Sequence, residues 1–116
     1  MRLWFGNMPD DVRAEIEAHS GLLAVEAEPA AGLDAAQLFV TRRTQIEQAL
    51  PQLRASLAPG GFLWVSWPKK AAKMPTDVTE DVIRTVVLPM GFVDVKVCAI
   101  DAVWSGLKLM IRRSER

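Results

Sequence analysis

The most informative part of the sequence is the stretch Leu57-Ala-Pro-Gly-Gly-Phe-Leu-Trp-Val-Ser-Trp-Pro-Lys-Lys70. It predicts the end of a helix, a turn at Pro59-Gly-Gly61, a buried strand over residues 62–67 and a proline that ends this strand. A buried strand that directly follows a helix is typical of an α/β sheet. The ligands of such sheets bind beyond the carboxyl ends of the strands, which here lead into a basic loop.

The rest of the chain alternates between strands and helices and then closes with a hairpin. Strands are predicted at residues 2–6, 22–25, 35–40, 62–67, 92–100 and 107–111. Helices are predicted from Pro9 to about Gly21, along the apolar stripe Ile46, Leu50, Leu53 and Leu57, and over residues 78–87. The pattern predicts one α/β domain over residues 1–113, with a tail at 114–116. Its architecture is an open three-layer α/β/α sheet of about six strands, mostly parallel, with a C-terminal antiparallel hairpin.

Three local features carry further expectations. Pro51 lacks an amide donor and interrupts the second helix, so we expect a kink or two short helices there. Asp77-Val-Thr-Glu80 fits a capping box that starts the third helix at Asp77. Trp104-Ser-Gly106 is expected to lie in the turn of the terminal hairpin.

Composition limits the classes of function. The chain has 116 residues, with 14 basic and 14 acidic side chains, so no net charge attracts nucleic acid or a membrane surface. Its single cysteine, Cys98, cannot form an intrachain disulfide, and no apolar run approaches the ~18 residues of a membrane span. We therefore expect a cytoplasmic protein. With one histidine and one cysteine, the sequence predicts neither a metal site nor a catalytic nucleophile.

Two sets of residues resemble known families. Leu57-Ala-Pro-Gly-Gly-Phe-Leu-Trp-Val65 and the terminal hairpin resemble the class I methyltransferases, which have a Rossmann-like fold. Ser66-Trp-Pro-Lys-Lys70, Thr76-Asp-Val-Thr-Glu-Asp-Val82, Val93-Asp-Val-Lys-Val-Cys98 and Trp104-Ser-Gly-Leu-Lys108 resemble an uncharacterised bacterial domain family of the same outline. These resemblances imply a shortened methyltransferase-like sheet, and the second family has no reaction to carry over.

The turn after the first strand bears on the cofactor. Methyltransferases of this fold place a glycine-rich loop there, so that the backbone approaches S-adenosylmethionine closely. This chain has Gly6-Asn-Met-Pro-Asp-Asp11, in which only Gly6 remains and two carboxylates occupy the start of the helix. We therefore expect no cofactor. The alternative that the resemblance implies is a degenerate S-adenosylmethionine site, with Asn7 at the methionine end and Glu26 at the ribose.

The candidate ligand-binding residues lie at the carboxyl ends of the predicted strands, with one tryptophan in the hairpin. They are Asn7, Glu26, Thr41, Arg42, Arg43, Trp67, Lys69, Lys70, Lys73 and Trp104. Most of them form a basic rim around an aromatic platform. This favours a non-enzymatic domain that binds a protein partner or a small acidic ligand. A methyltransferase and a weak nucleic-acid-binding module remain as alternatives, and a short apolar edge strand suggests a homodimer.

Overall fold

The computed structural model describes residues 2–7, 24–26 and 32–115, and in these ranges six strands form a single sheet. The strands are β1 (Arg2–Gly6), β2 (Ala24–Glu26), β3 (Leu33–Phe39), β4 (Leu57–Pro68), β5 (Phe92–Ala99) and β6 (Trp104–Ile111). Their order across the sheet is β2-β1-β3-β4-β6-β5. The first four strands pair in parallel, and β6 runs antiparallel to both of its neighbours. The predicted sheet with a terminal antiparallel hairpin is confirmed.

Two helices, α1 (Arg43–Ser56) and α2 (Glu80–Val87), pack on the same face of this sheet. Both contribute to one apolar cluster with alternate residues of β4 and β6, because successive strand side chains point to opposite faces. Short 3-10 turns occupy Lys70–Ala72, Leu88–Met90 and Arg113–Glu115. Neither helix of the described ranges is long and apolar enough to cross a bilayer. The helix predicted between Pro9 and Gly21 lies outside the described residues.

Helix α1 continues through Pro51, so the prediction of two short helices is wrong. Ile46, Leu50 and Leu53 are each fully buried beneath the helix. Burial of such side chains contributes roughly 1.5–3 kcal/mol each, which offsets the roughly 3 kcal/mol cost of an internal proline. Packing of these side chains against the sheet therefore keeps α1 continuous at Pro51.

The start of α2 also differs from the prediction. The N-cap is Thr79, whose hydroxyl accepts a hydrogen bond from the amide of Val82 at 3.2 Å. Asp77 precedes this helix and instead caps α1, because its carboxylate accepts a hydrogen bond from the amide of Arg43 at 2.8 Å. The predicted capping box at Asp77 is wrong, since the carboxylate of Asp77 caps the neighbouring helix α1.

The turn of the terminal hairpin is shorter than the sequence predicts. Trp104 is the first residue of β6 and pairs with Pro68 of β4, so its predicted place in the turn is wrong. Its indole is 8% exposed and packs edge-on against Phe39, with ring centroids 5.0 Å apart. Aromatic packing of this kind holds the tryptophan on the sheet.

The exposed apolar edge of the sheet is β5. Val93, Val95 and Val97 are 39%, 53% and 45% exposed. The pairing with β6 shifts register between Asp94 and Lys96, which leaves Val95 as an extra residue in the strand. Such a bulge weakens the edge as a template for pairing. The homodimer remains a prediction.

The predicted Pro59-Gly-Gly61 turn forms a bulge in the pairing of β3 with β4. Leu33 pairs with Leu57 and Ala35 pairs with Phe62, so Ala58–Gly61 stands opposite the single residue Asp34. At Gly61 a Cβ would lie 2.8 Å from the carbonyl oxygen of Leu33 and 3.1 Å from that of Asp34. Only glycine allows the two backbones to approach this closely.

We predict that Gly61→Ala costs about 1–3 kcal/mol in the free energy of unfolding, because rigid backbone must move to admit the methyl group. The matched control is Gly60→Ala, where a Cβ would meet nothing within 4 Å, and its effect should stay within about 0.5 kcal/mol. Urea denaturation measures both. Equal effects of the two substitutions would contradict the close approach.

Candidate functional site

The sheet has its topological switch point between β1 and β3. From β1 the chain passes to β2 on one side, and it then returns to β3 on the other side. At such a point the connections leave the sheet in opposite directions, so a crevice opens beyond the carboxyl ends of the two strands. Gly6 ends β1 and Phe39 ends β3, and these two residues mark the crevice.

A cleft of about 490 Å³ lies beside this crevice, within the range of about 300–1,000 Å³ that is usual for ligand sites. We call it the switch-point cleft. Its lining comes from β1, β3 and α1 and comprises Trp4, Phe5, Gly6, Asn7, Leu38, Gln45, Gln48 and Ala49. Aromatic, amide and small side chains therefore surround it.

Gly6 is a glycine because of its packing. A Cβ at this position would lie 2.2 Å and 2.6 Å from indole carbons of Trp4 and 2.8 Å from a methyl carbon of Leu38. The indole of Trp4 therefore covers this side of Gly6. A ligand in the cleft meets the indole before it meets the Gly6 backbone on this side.

Asn7 links the two strand ends. Its backbone is left-handed, with φ 57°, a conformation that asparagine tolerates better than most residues. Its side-chain amide donates a hydrogen bond to the carbonyl oxygen of Phe39 at 3.4 Å. The exposed Asn7 thus spans the switch point from β1 to β3.

Glu26 is the last residue of β2 and pairs with Trp4 in the register of β1. This register places Glu26 beside a residue that lines the switch-point cleft. Asn7 and Glu26, which were predicted from separate segments, therefore lie at the same edge of the sheet.

The backbone amides of the turn between β3 and α1 donate hydrogen bonds to side chains of the same chain. The side-chain carbonyl of Gln45 accepts hydrogen bonds from the amides of Thr41 at 2.7 Å and Arg42 at 3.0 Å. The amide of Arg43 is bound to Asp77, as described above. Three amides at the positive end of the helix dipole are thereby satisfied by the chain itself. The guanidinium of Arg43 lies 3.6 Å from the carboxylate of Glu47, and the side chain of Arg42 is exposed.

The loop after β4 contacts this turn. The hydroxyl of Thr76 donates a hydrogen bond to the carbonyl oxygen of Thr41 at 2.7 Å, and the amide of Asp77 donates to the same oxygen at 3.3 Å. The two basic segments, Thr41–Arg43 and Lys69–Lys73, therefore flank Thr76 and Asp77. The sequence order places Lys69–Lys73 just before these two residues, which bind the Thr41–Arg43 turn.

A second cavity, of about 440 Å³, lies between this loop and the first turn of α2. We call it the Trp67 cavity. Its lining comprises Trp67, Pro68, Lys69, Lys70, Met74, Thr76, Val78, Thr79 and Glu80. Three predicted site residues, Trp67, Lys69 and Lys70, belong to it. Lys73 is exposed, has a left-handed backbone with φ 55° and is not in the lining.

Two predicted site residues, Lys69 and Trp104, form hydrogen bonds with the turn of the hairpin between β5 and β6. The ammonium group of Lys69 donates a hydrogen bond to the carbonyl oxygen of Asp101, and its amide donates to the carbonyl oxygen of Val103 at 2.7 Å. The Asp101 carboxylate in turn accepts from the amides of Val103 and Trp104, each at 2.8 Å. Trp104 packs in an apolar cluster that is separate from the main core. Trp67 packs against the main core.

The sequence analysis missed several residues of both sites. Gln48 and Ala49 line the switch-point cleft from α1, and Met74 and Val78 line the Trp67 cavity. Apolar or amide side chains of this kind carry no chemical signature in a sequence. Within the described ranges no group of three His, Cys, Asp or Glu side chains could hold a metal ion.

The fold is shared with S-adenosylmethionine-dependent methyltransferases. A Sulfolobus solfataricus protein assigned to the type 11 methyltransferases aligns with 100% of this chain and 74% of its own, at 12% identity and a TM-score of 0.64. A SAM-dependent methyltransferase from Aquifex aeolicus aligns over 95% of this chain and 68% of its own, at 18% identity and a TM-score of 0.57. The chain therefore has a methyltransferase-like fold, as predicted.

A third similar structure is that of LepI in complex with SAM. It aligns over 96% of this chain at 11% identity and a TM-score of 0.61, and this chain spans only 36% of its length. Neither a protein-family model nor a curated protein matches the sequence. At these identities the comparisons establish the fold alone.

We predict that Asp77→Ala lowers the free energy of unfolding by about 0.5–2 kcal/mol, because α1 loses the carboxylate that caps Arg43. Asp77→Asn keeps a side-chain oxygen as acceptor and should recover most of this loss. Urea denaturation of the two variants separates the hydrogen bond from the charge. The capping role is wrong if both variants lose the same stability.

Proposed function

We propose that this domain binds S-adenosylmethionine in the switch-point cleft and acts as a methyltransferase. The observation that carries the proposal is a cleft of about 490 Å³ beside the topological switch point, with Gly6 and Asn7 in its lining. Open α/β sheets bind their ligands at this point. The proposal extends the shared fold to the cofactor of the similar proteins.

The residues present fit the cofactor in position and in space. The cleft is large enough for a ligand of this class, and the left-handed backbone of Asn7 turns the chain away from the end of β1. The indole of Trp4 covers Gly6, so the cofactor would contact this ring rather than a bare glycine backbone. An aromatic face suits an adenine base, which binds by stacking.

S-Adenosylmethionine supplies an electrophilic methyl group when it is bound. The chain's own residues would hold and orient it. Glu26, at the end of β2, is suited to accept hydrogen bonds from ribose hydroxyls, and the exposed amide of Asn7 is suited to the methionine end. Gln45 and Gln48 offer further amide groups from α1. We assign no residue as a catalytic base.

The second candidate function is a non-enzymatic binding domain. One observation favours it: the amides of Thr41, Arg42 and Arg43 are satisfied by side chains of the chain itself. The indole over Gly6 likewise occupies the position where a glycine-rich loop would admit a ligand. A domain of this kind would keep the fold and bind its ligand elsewhere.

We predict saturable binding of S-adenosylmethionine and S-adenosylhomocysteine by isothermal titration calorimetry, with one site per chain. Gln48→Trp should weaken binding at least about tenfold, because a large ring then fills the cleft; tenfold corresponds to about 1.4 kcal/mol. The matched control is Gln52→Trp, one turn further along α1, which is exposed and not in the lining.

Two outcomes decide between the candidates. Binding that Gln48→Trp weakens and Gln52→Trp leaves unchanged supports the S-adenosylmethionine site. No heat of binding for either compound with the wild-type chain would contradict it and leave the non-enzymatic domain. Both variants change exposed positions of α1, so thermal unfolding should show that each remains folded.

A further inference from the structure

The Trp67 cavity has an apolar interior. Trp67, Pro68, Met74 and Val78 supply most of its wall. Trp67 is half-buried against the main core, Val78 is 3% exposed and Met74 is 38% exposed. A large apolar side chain that stays open to solvent beside a cavity leaves apolar surface for a ligand to cover.

This cavity is separate from the switch-point cleft. The two share no lining residue, and α1 contributes Gln45, Gln48 and Ala49 to the cleft and nothing to the cavity. The hydrogen bond from Thr76 to Thr41 closes the space beside the start of α1. A ligand of the Trp67 cavity therefore uses none of the residues that line the proposed cofactor site.

Three charged side chains, Lys69, Lys70 and Glu80, belong to the lining of the cavity. Arg84 donates hydrogen bonds to Glu80 and to Asp94, the latter at 3.1 Å, and these bonds raise the pKa of the Arg84 guanidinium. The Glu80 carboxylate is thus paired on its own helix, with a guanidinium that Asp94 shares. The Lys69 ammonium is bound to the hairpin carbonyl of Asp101.

Lys70 is the third charged side chain of the lining. Its side chain is exposed, and it forms no ion pair or hydrogen bond within the part of the chain that the structure describes. A lysine beside an apolar wall can meet an anionic group at low cost, because its own neighbours do not compete for it. A charge-assisted hydrogen bond of this kind is about twice as strong as a neutral one.

We propose that the Trp67 cavity binds a small amphipathic carboxylate. The apolar body of this ligand packs against Trp67 and Met74, and its carboxylate pairs with Lys70. The apolar wall selects against small hydrophilic acids.

The probes are 2-naphthoate, decanoate and their uncharged amides, titrated into the whole chain by isothermal titration calorimetry. We expect at least one of the two acids to bind with one site per chain, and its amide to bind about tenfold more weakly. Lys70→Gln should weaken the acid about tenfold and leave the amide unchanged. The matched control is Lys73→Gln, which removes the same charge from the same loop outside the lining.

The outcomes are distinct from those of the cofactor proposal. Equal loss of acid binding in the Lys70 and Lys73 variants would overturn the pairing and leave only a general effect of charge. No saturable binding of either acid by the wild-type chain would overturn the site. Gln48→Trp, which blocks the switch-point cleft, should leave acid binding unchanged, and a loss there would place the acid in the cleft instead.

Discussion

The structure depends on the close approach of two backbones, where Gly61 passes the carbonyl oxygens of Leu33 and Asp34. This contact sets the register of β4 on β3 after four residues have bulged out. From β4 the sheet continues to β6 and β5, so the position of the hairpin follows from the same contact. The carboxyl end of β4, and the loop that forms the Trp67 cavity, are placed by it as well.

The sequence predicted the elements that depend on local chemistry or on strong periodicity. Gly60 and Gly61 indicated the turn before the buried strand, and the stripe of Ile46, Leu50 and Leu53 indicated α1. The predictions of two short helices at Pro51, a capping box at Asp77 and a turn at Trp104 were wrong for one shared reason. Each residue has a local preference that a contact distant in sequence overrides, such as the bond from Asp77 to Arg43, 34 residues away.

The candidate site was predictable in part. Residues at strand ends were found because the carboxyl edge of a parallel sheet gathers them, and Asn7 with Glu26, or Trp67 with Lys70, do lie at that edge. The cleft itself was not predictable. Its shape depends on the indole of Trp4 lying over Gly6 and on Gln48 and Ala49 of α1, and neither contact leaves a motif. The expectation of no cofactor came from the missing glycines and the two carboxylates after the first strand, and it remains a prediction.

The most direct test of the account is to map the backbone amide signals of the isotopically labelled chain by NMR during a titration with S-adenosylhomocysteine. The account predicts that the largest shifts fall on Gly6, Asn7 and Leu38, which line the switch-point cleft. Signals of Lys70 and Thr79 in the Trp67 cavity should stay in place. Largest shifts at the Trp67 cavity, or no shifts at a large excess of the compound, would contradict the assignment of the cleft as the cofactor site.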